Sequence, residues 1–131
     1  MIIKTLVKEE DRLDFLPKHL GKKFLKFEML TYAFMDNFCE EYSGGFWNFW
    51  TLDNGGILMT LDSTESFKVI NPLNYFEDTM SAQAASVGMN LFALNDLANR
   101  TQDEKLADYF YALRDFASEH PEASKIFQLI D

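Results

Sequence analysis

The residue types that most often carry catalysis or metal binding are sparse in this chain. It has two histidines, His19 and His120, and one cysteine, Cys39. A metal site needs several such ligands close together. A glycine-rich phosphate loop, a GxGxxG turn and a GxSxG nucleophile turn are all missing. The sequence therefore gives no support to an enzyme or to a metal site. A hydrolase that uses one of the two histidines is the catalytic alternative.

Acidic side chains dominate the charge of the protein. The 131 residues include 12 Lys and Arg against 21 Asp and Glu, for a net charge of −9. Residues 1–26 carry +3 and residues 27–131 carry −12. Because DNA binding depends on neutralising phosphates with basic side chains, sequence-specific DNA binding is not expected. An acidic body suits a basic protein partner or an imitation of DNA, while a solvated surface that keeps the protein soluble is the simplest explanation.

Length and hydropathy predict one soluble domain over residues 1–131. No apolar run approaches the roughly 18 residues of a membrane span, and Lys4 interrupts the apolar start of the chain. A single cysteine cannot form an internal disulfide, which suits a reducing cytoplasm. No heptad repeat is visible, so we expect a monomer.

The periodicity of the apolar residues predicts an α+β fold. Residues 1–24 read as an irregular arm, and residues 25–42 as a helix that ends before two glycines. Residues 46–70 predict a three-stranded antiparallel meander with an Asn54-Gly55 hairpin turn and a third strand over 67–70. Three helices are expected within 81–131 and packed around the sheet, the first with small residues that indicate close packing.

The first predicted strand carries large aromatic residues on both of its faces. Strand alternation separates Phe46 and Trp50 from Trp47 and Phe49. Since a small sheet usually buries one face, either helices cover both faces or some rings stay open to a partner. We expect Phe49 and Trp50 to be buried and Trp47 to be partly exposed.

Several short blocks, in order along the chain, resemble one known family. The blocks lie between Arg12 and Asp131 and so span nearly the whole chain. They are Arg12-Leu13 with Phe15–Gly21, Met35–Trp47, Leu52–Gly56, Met80–Ala85, Tyr111–Ala117 with His120–Glu122, and Ile130-Asp131. Together these blocks are similar to the ArdB/KlcA family of antirestriction proteins from plasmids and other mobile elements. Residues 62–76 match none of its motifs.

The resemblance implies an α+β protein without enzymatic activity or cofactor that relieves type I restriction of incoming unmodified DNA. Its partner would be the type I restriction-modification machinery or an associated host protein. A DNA mimic that competes at the restriction enzyme's DNA site is the alternative.

Within the resembling blocks or beside them, some residues have no evident structural reason for their type, and these are the candidates for partner binding. They are Arg12 and Glu28 as charges near the arm, Trp47 as an aromatic contact, Asp36, Glu40 and Glu41 as an acidic patch, and Asp131 at the chain end.

Overall fold

The computed structural model describes residues 1–131 and has the predicted α+β architecture. Its strands are β1 (Lys4–Leu6), β2 (Trp47–Leu52), β3 (Ile57–Leu61), β4 (Ser66–Asn71) and β5 (Phe76–Ser81). Its helices are α1 (Arg12–Leu20), α2 (Phe24–Phe38), α3 (Ala82–Thr101), α4 (Glu104–Ser118) and α5 (Ala123–Ile130). None of the helices combines the length and hydrophobicity needed to cross a membrane.

A three-stranded antiparallel sheet is present, but one of its strands differs from the prediction. The strand order is β1-β2-β3, with Thr5 opposite Thr51 and Trp50 opposite Leu58. The Asn54-Gly55 turn joins β2 to β3 as predicted, with Gly55 at a positive φ of 90°. The segment predicted as the third strand is β4, which instead forms a separate hairpin with β5.

Side chains of α3 occupy the place beside β3 that a third strand of the meander would need. The Asn90 carboxamide accepts a hydrogen bond from the Met59 N–H at 3.0 Å and donates one to the Met59 carbonyl at 2.8 Å. The Ser86 hydroxyl accepts another from the Leu61 N–H at 3.0 Å. A buried strand edge must have its backbone groups paired, and here the helix satisfies them.

Helix α3 lies at the centre of the protein. Twelve of its 20 residues are buried, including the predicted small residues Ala82, Ala84, Ala85 and Gly88. A Cβ atom added at Gly88 would lie 2.6 Å from the side chain of Leu129 in α5. The absence of a side chain at Gly88 therefore sets how closely these two helices approach.

The prediction of an irregular arm over 1–24 was wrong. This segment contains β1, the nine-residue helix α1 and the first residue of α2. Strand β1 is only three residues long and is held by pairing with β2, about 46 positions away, which no local pattern reveals. Pro17 lies inside α1. Its ring leaves the Leu13 carbonyl without a helical donor, and Leu13 is exposed, so water can take that place.

The helix predicted over 25–42 ends earlier than expected. Helix α2 stops at Phe38, and Cys39 adopts an extended conformation. The turn that follows allows the Glu41 carboxylate to accept a hydrogen bond from the Lys68 N–H and Tyr42 to pack on Trp47. Tertiary contacts therefore decide the end of the helix. Cys39 itself is fully buried, as expected for a small apolar residue.

Replacing Asn90 with alanine should strongly destabilise the fold. Asn90→Ala leaves the buried N–H and carbonyl of Met59 without partners, at a cost of about 2–4 kcal/mol in the free energy of unfolding. Urea denaturation followed by circular dichroism measures this change. The control is Asn95→Ala, the same substitution at an exposed position of α3. Equal stability of the two variants would contradict the proposed role of Asn90.

Candidate interaction site

Arg12, at the start of α1, fastens this helix to β2. Its Nη2 atom donates a hydrogen bond to the Trp47 carbonyl at 2.7 Å. The centre of its guanidinium group lies 4.4 Å from the centre of the Phe46 ring and 4.5 Å from that of Phe49. Arginine over aromatic faces is a favourable electrostatic contact. The side chain is therefore engaged in structural contacts, although it was predicted as a partner-binding charge.

Glu28 lies on the neighbouring helix α2, in a groove between α1 and α2. The groove has a volume of about 300 Å³ and is mainly apolar, lined by Arg12, Leu13, Leu16, Pro17, Phe24, Glu28, Tyr32 and Phe49. Glu28 is half-buried, and none of the four ion pairs of the protein includes it. Burial raises the pKa of its carboxyl group, although the charge of Arg12 acts in the opposite direction.

Tyr32 accompanies Glu28 one helical turn later. Burial, followed by the nearby Glu28 carboxylate, raises the pKa of Tyr32 to about 12. The Tyr32 ring packs on Trp47 with the ring centres 5.4 Å apart. The groove thus combines a carboxylate and a phenol on one line of α2 with apolar walls. The i, i+4 spacing of these two residues was visible in the sequence, but their common groove was not.

The prediction that Trp47 is partly exposed was wrong. Trp47 is 4% exposed, and its Nε1 atom donates a hydrogen bond to the Tyr42 hydroxyl at 3.3 Å. Contacts with Tyr32 of α2 and Tyr42 cover this ring, while Phe15 of α1 stacks on Phe49 of the same strand face.

Among the aromatic residues at positions 46–50, the one open to solvent is instead Phe46, which is 56% exposed. Phe49 is buried as expected, whereas Trp50 is only half-buried.

Exposed apolar side chains lie along the helices and the strand that form the groove. Leu13 of α1 is 91% exposed and also lines the groove. Leu25 and Met29 of α2 are exposed beside groove-lining residues, and Phe46 covers Arg12. A group of large exposed apolar residues around a groove is typical of a protein-binding surface. We call Arg12, Leu13, Glu28, Met29 and Phe46 the α1–α2 face.

All three carboxylates of the predicted acidic patch are exposed, but only two of them are free of polar contacts within the protein. Asp36 lies one turn beyond Tyr32 on α2, and Glu40 follows the helix end; both are exposed and outside every ion pair. Glu41 is exposed too, but its Oε1 atom accepts a hydrogen bond from the Lys68 N–H at 2.7 Å. Glu41 therefore has a structural reason for its type that the sequence did not show.

Asp131 belongs neither to the α1–α2 face nor to the acidic patch. It lines another groove, of about 230 Å³, together with residues of α3 and α4 that include Phe92, Phe110 and Arg114. The structure thus brings Arg12, Glu28 and Trp47 together and places Asp131 elsewhere. Leu13 and Phe46 were missed as candidates because exposure depends on which helices cover the sheet.

Both histidines take part in structural hydrogen bonds. His19 Nδ1 lies 3.0 Å from the Tyr109 hydroxyl, and His120 Nδ1 accepts a hydrogen bond from the Glu122 N–H at 2.9 Å. Burial is the largest influence on the pKa of both side chains, and it lowers each pKa. No group of three or more potential ligands is close enough together to hold a metal ion.

Neutralising Glu28 should stabilise the protein at neutral pH. The pKa of Glu28 is higher in the folded than in the unfolded protein, so its ionisation increasingly opposes folding as the pH rises from the unfolded-state pKa through the folded-state pKa. Glu28→Gln should therefore unfold at a higher urea concentration than the wild type at pH 7, and the difference should vanish near pH 4. Glu65→Gln, at an exposed position, is the control. A less stable Glu28→Gln at pH 7 would contradict this reasoning.

Comparison with known proteins agrees with the motifs. A family model described as antirestriction protein matches residues 40–131. The protein YafX of Escherichia coli strain K12, which is uncharacterized, is 41% identical over 97% of this chain and 86% of its own length. The antirestriction protein KlcA of Escherichia coli is 39% identical over 99% of this chain and 94% of its own length.

A solved structure has the same fold. It is 38% identical, covers 99% of this chain and 95% of its own, and superposes with a TM-score of 0.92. The KlcA and ArdB proteins of that structural work show a novel fold and antirestriction activity against type I DNA restriction systems in vivo but not in vitro. With its family model, its relatives and its fold in agreement, this chain belongs to the antirestriction protein family of KlcA and ArdB.

Proposed function

We propose that this protein relieves type I restriction of incoming unmodified DNA by binding a protein through the α1–α2 face. The observation that carries the proposal is the unpaired, half-buried Glu28 carboxylate in an apolar groove, within a family whose solved members act against type I systems. A charge kept without a partner lowers stability. A function that uses this charge would explain why it is kept.

Protein binding fits the charge of the molecule better than DNA binding. With a net charge of −9, the protein repels phosphates and attracts basic surfaces. The DNA-mimic alternative would need its carboxylates free and spaced like phosphates. Glu41 is instead bonded to the backbone of β4, and Asp53 accepts a hydrogen bond from the Ile3 N–H. Because these carboxylates are bonded within the protein, they support the DNA-mimic alternative less well than the protein-binding proposal.

The partner is either the restriction-modification machinery or a host protein associated with it. For the KlcA and ArdB proteins, activity in vivo without activity in vitro indicates that a cellular component takes part. We therefore favour an associated host protein as the partner. Asp36 and Glu40 continue the line of α2 beyond the groove and would extend the contact, while Asp131 would act from a separate place.

The function is tested by plating unmodified phage on a strain with a type I restriction system, with and without this protein. We expect the plating efficiency to rise towards that of a non-restricting strain, because restriction of the unmodified DNA is relieved. Immunoblotting confirms that soluble protein is present. An unchanged efficiency with abundant soluble protein would overturn the proposed function.

Variants of the α1–α2 face test where the partner binds. Glu28→Gln and Phe46→Ser should each lower the protection by tenfold or more, as expected when a central contact worth about 1.4 kcal/mol or more is lost. Leu73→Ser is the matched control, since Leu73 is exposed on the β4–β5 turn, outside this face. Full protection by both face variants would exclude this face as the contact.

A further inference from the structure

The outer edge of β1 has backbone groups without partners. In the ladder with β2, the Val7 N–H donates to the Phe49 carbonyl and the Asp53 N–H donates to the Ile3 carbonyl. Residues 3, 5 and 7 therefore turn their backbone groups towards β2, and Lys4 and Leu6 turn theirs away from the sheet. No hydrogen bond within the protein reaches the outward N–H and carbonyl groups of Lys4 and Leu6.

Every other outer edge is covered, at least in part, by side chains. Asn90 and Ser86 of α3 bond the edge of β3, as described above. On the second hairpin, Glu41 accepts from the Lys68 N–H of β4, and Glu122 accepts from the Ser81 N–H of β5. Bare strand edges promote unwanted pairing and are normally blocked. The open edge of β1 is therefore an exception within this fold.

β1 is only three residues long, which itself limits unwanted pairing. The other features that usually protect such an edge are weak here. Lysine is a common blocking residue, but the Lys4 ammonium lies 3.4 Å from the centre of the Trp50 ring, over the face of the sheet. Two apolar side chains are exposed at this edge, Ile3 just before β1 at 58% and Leu6 at 51%, together with the polar Thr5 between them. Two grooves meet this strand, one of about 640 Å³ at Lys4 and one of about 500 Å³ at Leu6.

We propose that the free edge of β1 is the docking site for an extended segment of the protein partner, which pairs with β1 as an added strand. This inference rests on the proposed function and adds a second contact, at the edge of β1, to the one on the α1–α2 face. Strand addition uses outward backbone groups for affinity and neighbouring pockets for specificity. The two grooves would receive side chains of a segment that extends beyond the ends of β1.

The occupant is a partner segment rather than a second copy of the protein. Pairing β1 with β1 of another copy would join two three-residue strands and bring together two bodies of charge −9. The same charge favours a segment that is neutral or basic at its polar positions. The exposed Ile3 and Leu6, on opposite faces of the strand, favour apolar residues in the segment as well.

Leu6→Pro tests this inference directly. Proline removes the Leu6 N–H, which points away from the sheet, so no bond to β2 is lost. We expect the midpoint of thermal unfolding to change by only a few degrees and the protection in the phage assay to fall tenfold or more. Leu6→Lys keeps the backbone donor but places a charge on the edge, and it should also reduce protection. Leu73→Lys, the same change on the β4–β5 turn, should retain it.

The possible outcomes separate the inference from the proposed function. Full protection by a folded Leu6→Pro or Leu6→Lys variant, with an active wild type, overturns strand addition and leaves the function intact. An inactive wild type overturns both. If Leu6→Pro does not fold, Leu6→Lys decides the question. Light scattering after gel filtration checks the occupant, since a wild-type dimer that Leu6→Pro converts to a monomer would identify a second copy instead.

Discussion

The hydrogen bonds between the Asn90 carboxamide and Met59 are the constraint on which the rest of the fold depends. Through them a buried helix lies directly against the edge of a strand, in a place where backbone pairing would normally require another strand. This arrangement ends the sheet at β3. The chain must then form β4 and β5 as a separate hairpin, and α2, α4 and α5 pack around the central helix α3.

The contact between α1 and the sheet is organised around Arg12. Its contacts with the Trp47 carbonyl and with two phenylalanine rings hold α1 against β2, and α1 in turn forms one wall of the groove that contains Glu28. Arg12 and Glu28, which were both predicted as partner-binding charges, therefore differ in how well the fold satisfies them. Arg12 is satisfied within the fold, whereas Glu28 lacks a partner at some cost to stability, and this difference makes Glu28 the stronger functional candidate.

Much of the fold was predictable where the signal is local. The periodicity of apolar residues located the C-terminal helices, the Asn54-Gly55 turn located the hairpin, and the small residues of α3 indicated its close packing. The prediction failed where pairing is distant along the chain. β1 depends on residues near position 51, and the segment at 67–70 pairs with β5 because α3 already covers β3.

The sequence by itself determined the fold class, the acidic charge and the membership of the antirestriction family, because these follow from composition, periodicity and ordered motifs. Only the tertiary structure decided which candidate residues are accessible. Trp47 is buried because Tyr32 and Tyr42 pack on its ring, and Phe46 is exposed beside Arg12. Exposure, free strand edges and unpaired charges depend on which surfaces the helices cover, and that depends on contacts between residues far apart in the chain.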